Sequence, residues 1–131
     1  MIRLAAIAVG LCGLATSSLA TEWVNWSDAA GAATFSYLTG SLDALQIVGL
    51  NISVGDKVWA SDVVYRPGDP VMVGQALETS DMVLVDAVTP DLASDVAELR
   101  LFKANEGDSF VHGGTLRIPG LGAWAVSCTG P

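Results

Sequence analysis

Past residue 33 this sequence consists of short alternating runs cut by glycine and proline turn pairs, and no segment holds a helical period long enough for an amphipathic helix. "LNISVGDKVWASDVVY" is the clearest case. In an extended chain Leu50, Ile52 and Val54 point to one face while Asn51 and Ser53 point to the other. Gly55–Asp56 signals a tight turn, so "KVWASDVVY" is expected to fold back as the second strand of a hairpin. Within it Trp59, Val63 and Tyr65 share one face and Val58, Ala60 and Val64 the other, which points to a central strand covered on both sides.

"RPGDP" ends that run, and Pro67 followed by Gly68 matches a type II turn, where proline presets φ and glycine takes a positive φ. "VMVGQALE" and "DMVLVDAV" read as two further strands. "TPDLASD" is expected to close one helical turn, with Thr89 as cap and Pro90 at the first helical position. "VAELRLFKA" turns Ala97, Leu99 and Leu101 inward, "NEGD" reverses the chain, and "SFVHGGTLRI" and "AWAVSC" flank a second proline–glycine turn in "PGLG". "ATFSYLT" is a strand as well, whereas "SLDALQIVG" admits either a strand or a short helix capped by Ser41. The sum is an all-β domain of about seven to nine short strands, a small antiparallel sandwich or barrel.

The first 33 residues differ. Residues 1–20 carry Arg3 as their one charge, then the apolar "LAAIAVGLCGLA", then Ser18 and Ala20 at small-residue cleavage positions. This is the pattern of a signal peptide cut after Ala20, and the apolar run falls short of the roughly 20 residues that span a bilayer. An uncleaved anchor is the alternative; a lipoprotein signal is disfavoured because Leu11, not a small residue, precedes Cys12. The chain then divides into 1–20 as signal, 21–34 as an N-terminal segment, and 35–131 as a single β domain, with "DAAGAA" as a flexible lead into the first full strand. In "EWVNW", Trp23 and Trp26 are three apart and so face opposite sides of a strand. They cannot form one flat sugar-binding platform, and they serve to dock the N-terminus onto the domain.

Cleavage removes Arg3 but none of the 14 acidic residues, so the formal charge moves from −8 to −9. An excess of that size opposes binding to nucleic acid and to anionic membrane surfaces, and suits solubility or a cationic partner. Cys128 becomes the only thiol, so no intramolecular disulfide forms, and it reads as a small buried apolar residue with an interchain bond as the alternative.

Signatures of chemistry are sparse. His112 is the single histidine, "VHGG" matches an esterase oxyanion loop over two glycines only, and no G-x-S-x-G elbow exists to go with it. One histidine and one cysteine are too few for a zinc site. Asn105, Glu106 and Asp108 share one turn and Asp91 and Asp95 bracket another, but the spaced acidic pattern of a calcium loop is absent. No phosphate-cradling glycine loop occurs, and 14 acids single out no glycosidase pair. Sequons fall at Asn25 and Asn51.

No cofactor or metal is therefore expected. The expectation is an exported, monomeric, non-catalytic β-domain, secreted or periplasmic, that binds another macromolecule as an inhibitor, adaptor or envelope component. A carrier of an apolar ligand is the alternative, and a carboxylate-based hydrolase a more distant one. Asp56, Asp69, Glu106 and Asp108 fall in expected turns. If they gather at one end of the domain they form a negative rim able to steer a cationic protein.

Overall fold

A computed structural model describes residues 21–41 and 44–129. The signal-peptide reading and Cys12 lie outside those residues, as does part of the ambiguous segment after Ser41. Among the described residues there are ten strands and no helix: β1 (Glu22–Ser27), β2 (Ala33–Thr39), β3 (Ile47–Val54), β4 (Lys57–Ala60), β5 (Asp69–Pro70), β6 (Met72–Glu78), β7 (Met82–Val88), β8 (Asp95–Glu106), β9 (Ser109–Ile118) and β10 (Gly122–Cys128). They form one sheet in the order β5-β4-β3-β2-β1-β10-β9-β8-β7-β6. Every neighbouring pair is antiparallel except β4 with β5.

The sheet curls into a nearly closed barrel, and residues 69–78 bring its two edges together. β5 pairs in parallel with β4, and β6, one residue later, pairs with β7. Val71, between them, donates its backbone N–H to the Ala60 carbonyl at 3.2 Å and is buried. Closure of this kind leaves few free strand edges. Asp28–Ala32 is a tight connection, with Gly31 at φ 70, that delivers the chain directly from β1 to β2. Residues 22–27 are thus a full member of the sheet, paired with β2 on one side and with β10 on the other.

Alternation fills the interior as expected. Phe35, Leu50, Ile52, Val85, Leu99, Leu101, Leu116 and Ile118 are fully buried, and no polar or charged residue among those described is. The register places Phe35 against Ile52 and Ile52 against Trp59 on one wall, and Val85 against Leu99 and Leu99 against Leu116 on the other. Burial of each such side chain contributes about 1.5–3 kcal/mol, and with Cys128 free this packing holds the domain without a crosslink.

Three local expectations are corrected. β4 stops at Ala60 instead of running on to Tyr65. Ser61 accepts the Leu50 N–H through its hydroxyl and donates its own N–H to the Leu50 carbonyl, and the Asp62 carboxylate accepts the Val64 N–H, so side chains satisfy backbone groups that a longer strand would have used. Val63 and Val64 are consequently 76% and 78% exposed. Gly68 does not adopt a positive φ. It is needed because a Cβ there would sit 2.8 Å from the Val58 carbonyl oxygen. "TPDLASD" forms a turn rather than a helical one: Thr89 and Asp91 side chains bind the Ser94 and Ala93 backbone N–H groups and Leu92 takes φ 62.

Other turn chemistry follows the sequence. Gly55 and Gly107 each take positive φ at the first position of a two-residue hairpin turn, followed by Asp56 and Asp108. Gly120 takes φ 81 after Pro119, closing the type II turn between β9 and β10.

Candidate functional site

β3 and β8 are five antiparallel steps apart in the sheet, so they run in opposite directions and their C-terminal turns lie at opposite ends of the barrel. This separates the four acidic residues singled out from the sequence. Asp56 sits in the β3–β4 turn, and Asp69 lies beside it at the same end, held by Lys57 Nζ at 2.6 Å. Glu106 and Asp108 lie at the other end, in the β8–β9 turn. The single four-residue rim does not assemble; two acidic pairs at opposite ends take its place.

The Glu106–Asp108 end is the chemically distinctive one. β8 and β9 are the longest strands, at 12 and 10 residues. β7 accompanies β8 only as far as the pair Met82–Phe102, and β10 accompanies β9 only as far as Val126–Gly114. Beyond those pairs the hairpin overhangs the core. Phe110 and Val111 there are 52% and 65% exposed, and Phe102, at the last β7 pair and turned outward, is 61% exposed. Phe102 faces Gly113 across the ladder, and Val111 faces Ala104. The missing side chain at Gly113 leaves a shallow groove between Phe102 and Val111 of about 280 Å³. Glu106 and Asp108 stand at the tip of this apolar patch.

The barrel mouth opens at the same end. A crevice of about 270 Å³ is lined by Val24, Tyr37, Leu45, Gln46 and Glu78 among others. Burial pushes the Tyr37 phenol above its ordinary value of 10.0; the Trp26 side chain opposes this, while Glu78 and Cys128 add to it. The Trp26 indole nitrogen lies near that phenol, buried and without a hydrogen-bond partner. Glu78 meets Lys103 at a long 3.5 Å. The convergence of these groups was not readable from the sequence, because β1 and β2 meet residues of β6 and β8 that lie far along the chain.

The two tryptophans of "EWVNW" divide as the strand period requires. Trp26 joins the core, opposite Phe35 and Cys128, and Trp23 packs edge-on against Tyr65 on the outer surface, ring centroids 5.3 Å apart. Tyr65 lies so close to β3 that a Cβ at Gly49 would come within 2.9 Å of its ring. Cys128 is half-buried against the core.

His112 sits edge-to-face with Trp26 at 5.1 Å and with Phe110 at 5.2 Å, across the ladder from Lys103. Glu98 pairs with Arg117 of the neighbouring strand at 3.2 Å. Asp91 is held below the usual carboxylate range by hydrogen bonds from Thr89 and from the Ala93 backbone. Among the described residues no group of three or more His, Cys, Asp and Glu is arranged to hold a metal ion. Asn51 lies on the outer face of β3 with its Oδ1 buried and lacking a hydrogen-bond partner. Comparison with protein-family models, curated proteins and solved structures yields no match to this chain.

Proposed function

We propose that this protein is an exported, non-catalytic β-domain that binds a cationic macromolecule through the overhanging β8–β9 hairpin. The observation that carries the reading is the coincidence, on one hairpin, of three exposed large apolar side chains with two unpaired carboxylates. Phe102 and Val111 share the outward face on either side of Gly113, Phe110 lies on the other face past the end of β10, and Glu106 and Asp108 cap the same projection. Contiguous exposed apolar surface is disfavoured in water and marks contact sites. The acidic tip selects against anionic lipid and nucleic acid and in favour of a basic protein surface. A carrier of apolar ligands would call for an enclosed cavity, whereas the interior is filled by residues such as Phe35, Leu99 and Leu116, and the crevices at its end are open.

Export belongs to the proposal and rests on residues 1–20. Mass spectrometry of protein from the periplasm or medium is expected to find Thr21 at the N-terminus; an intact Met1 overturns this part.

Binding is tested by capture from envelope extract with wild type and two hairpin variants. One carries Phe102→Ser, Phe110→Ser and Val111→Ser, and the other Glu106→Lys and Asp108→Lys. Both are expected to lose the captured species with unchanged circular dichroism. Asp56→Lys with Asp69→Lys, at the opposite end, is expected to retain it. Equal capture by all of them removes the hairpin as the docking site.

A further inference from the structure

We propose that the crevice at the barrel mouth is a binding site for a cationic nitrogen on an aliphatic stem, the chemistry shared by a lysine or arginine side chain and a free alkyl amine or guanidine. Size comes first. At about 270 Å³ the crevice lies just below the roughly 300–1,000 Å³ of pockets that hold drug-sized ligands, so it suits one extended chain of atoms. Its walls come next. Val24 and Leu45 are partly buried against the core and offer apolar surface for methylenes. Lysine and arginine stems are accommodated by apolar walls of this kind with the charged head at the polar end.

The polar groups determine the sign of the ligand. Glu78 supplies a carboxylate that is 42% exposed and engaged only at 3.5 Å by Lys103, a contact too long to use its hydrogen-bonding capacity. Gln46 supplies a carboxamide oxygen that lies against Gly40, where a Cβ would come within 2.3 Å of it. Tyr37 supplies a phenol oxygen with two lone pairs. The buried Trp26 N–H, which has no acceptor, stands beside that phenol and is suited to one of the two. The acceptors Glu78, Gln46 and Tyr37 fit a group made of donors only, which means an ammonium with three N–H bonds or a guanidinium with five.

The crevice opens at the same end of the barrel as Glu106 and Asp108, so a basic partner on the hairpin has a route to place one side chain in it. That source rests on the function proposed above; the site itself does not.

The test follows the assigned Trp26 indole resonance by two-dimensional NMR while n-butylguanidinium, n-butylammonium or n-butanol is titrated into the protein. Both cations are expected to shift the resonance saturably, in the weak range usual for fragments, and the neutral alcohol is expected to leave it in place. Glu78→Gln is expected to weaken cation binding about tenfold or more, as loss of a charged hydrogen bond does, and Tyr37→Phe by a smaller factor. Equal shifts with butanol, or cation affinity unchanged in Glu78→Gln, overturn the proposal.

Nα-acetyl-arginine N-methylamide separates the sources. Binding as strong as that of butylguanidinium assigns the site to a partner's side chain, and exclusion assigns it to a free amine. The Glu106→Lys, Asp108→Lys variant is expected to keep probe binding. A protein that binds the probes but captures no partner breaks the function reading alone, and capture without probe binding breaks this one alone.

Discussion

Strands β8 and β9 contain the same kind of residue at both ends and treat it oppositely. At the root Leu99, Leu101, Leu116 and Ile118 are at most 2% exposed, whereas toward the tip Phe102, Phe110 and Val111 are each more than half exposed. Hydrophobicity does not separate the two sets, but direction does in part: the period of two turns Phe102 and Val111 outward, away from the face that holds Leu101 and Leu116, whereas Phe110 lies on the same face as Leu116. For Phe110 the separating factor is what stands beside and across the barrel. Root positions face β7, β10 and the wall built by β2 and β3; Phe110 and Val111 extend past the Val126–Gly114 pair, where β10 no longer accompanies β9, while Phe102 still pairs with Met82. Burial on a β-strand therefore needs two things, an inward direction set by the period of two and neighbouring strands that cover that face.

The contrast is broken most severely at the root. Leu99→Ala is expected to cost about 2–5 kcal/mol in denaturant unfolding, because the packed wall collapses only partly around the gap. Phe102→Ala at the tip is expected to stay within about 0.5 kcal/mol in the same experiment, as for surface substitutions generally. Equal losses at the two sites would mean that the tip is packed in solution. Gly114→Ala probes the boundary itself, since an added Cβ would meet the Arg100 carbonyl oxygen at 1.8 Å and the β8 backbone has to move. A loss of about 1–3 kcal/mol or more is expected, against little at Gly113, where the nearest atom is 3.6 Å away.

Kinetics sharpen the comparison further. Glu106→Lys with Asp108→Lys is expected to slow partner association, with added salt slowing the wild type in the same way, while the dissociation rate changes less. Salt-insensitive association that survives the reversals removes the electrostatic part of the reading.

Two pH effects are smaller. The Tyr37 phenol is raised in the folded protein, so the unfolded chain ionises first as pH climbs past 10.0, and stability is expected to fall from there upward with none lost below. Tyr37→Phe is expected to flatten that alkaline limb. Asp91 is depressed, so its support of the 89–94 turn is in place above the ordinary carboxylate range near pH 4 and is lost as pH falls through the lower folded value. The Ala93 amide resonance is expected to move in that acid range, and a shift centred at the ordinary value would contradict the hydrogen bonds drawn to Asp91.

How far the sequence could be read depends on the range of the forces involved. Alternation in "LNISV" and "VAELRLFKA" placed Leu50, Ile52, Leu99 and Leu101 on the core face, because side-chain direction in a strand is fixed by a period of two whatever the partner. The glycine–aspartate turns and the Pro119–Gly120 turn were equally legible, since positive φ is a local demand. Gly68 and the end of β4 at Ala60 were not: one is required by the approach of Val58, the other by hydrogen bonds linking Ser61 to Leu50 across the fold.

The candidate site follows the same division. Its acidic turn residues were visible as types but not as neighbours, because strand order, not chain order, sends Asp56 and Asp108 to opposite ends. The overhang of β8 and β9 depends on where β7 and β10 stop, and the mouth crevice on three strands and the β2–β3 connection meeting, so both are properties of closure. By itself the sequence determined the all-β class, the inward faces and the turn conformations, which are set by backbone sterics and local periodicity. Only the tertiary structure decided which apolar residues stay in water and which polar groups meet, because those depend on contacts between residues distant in the chain.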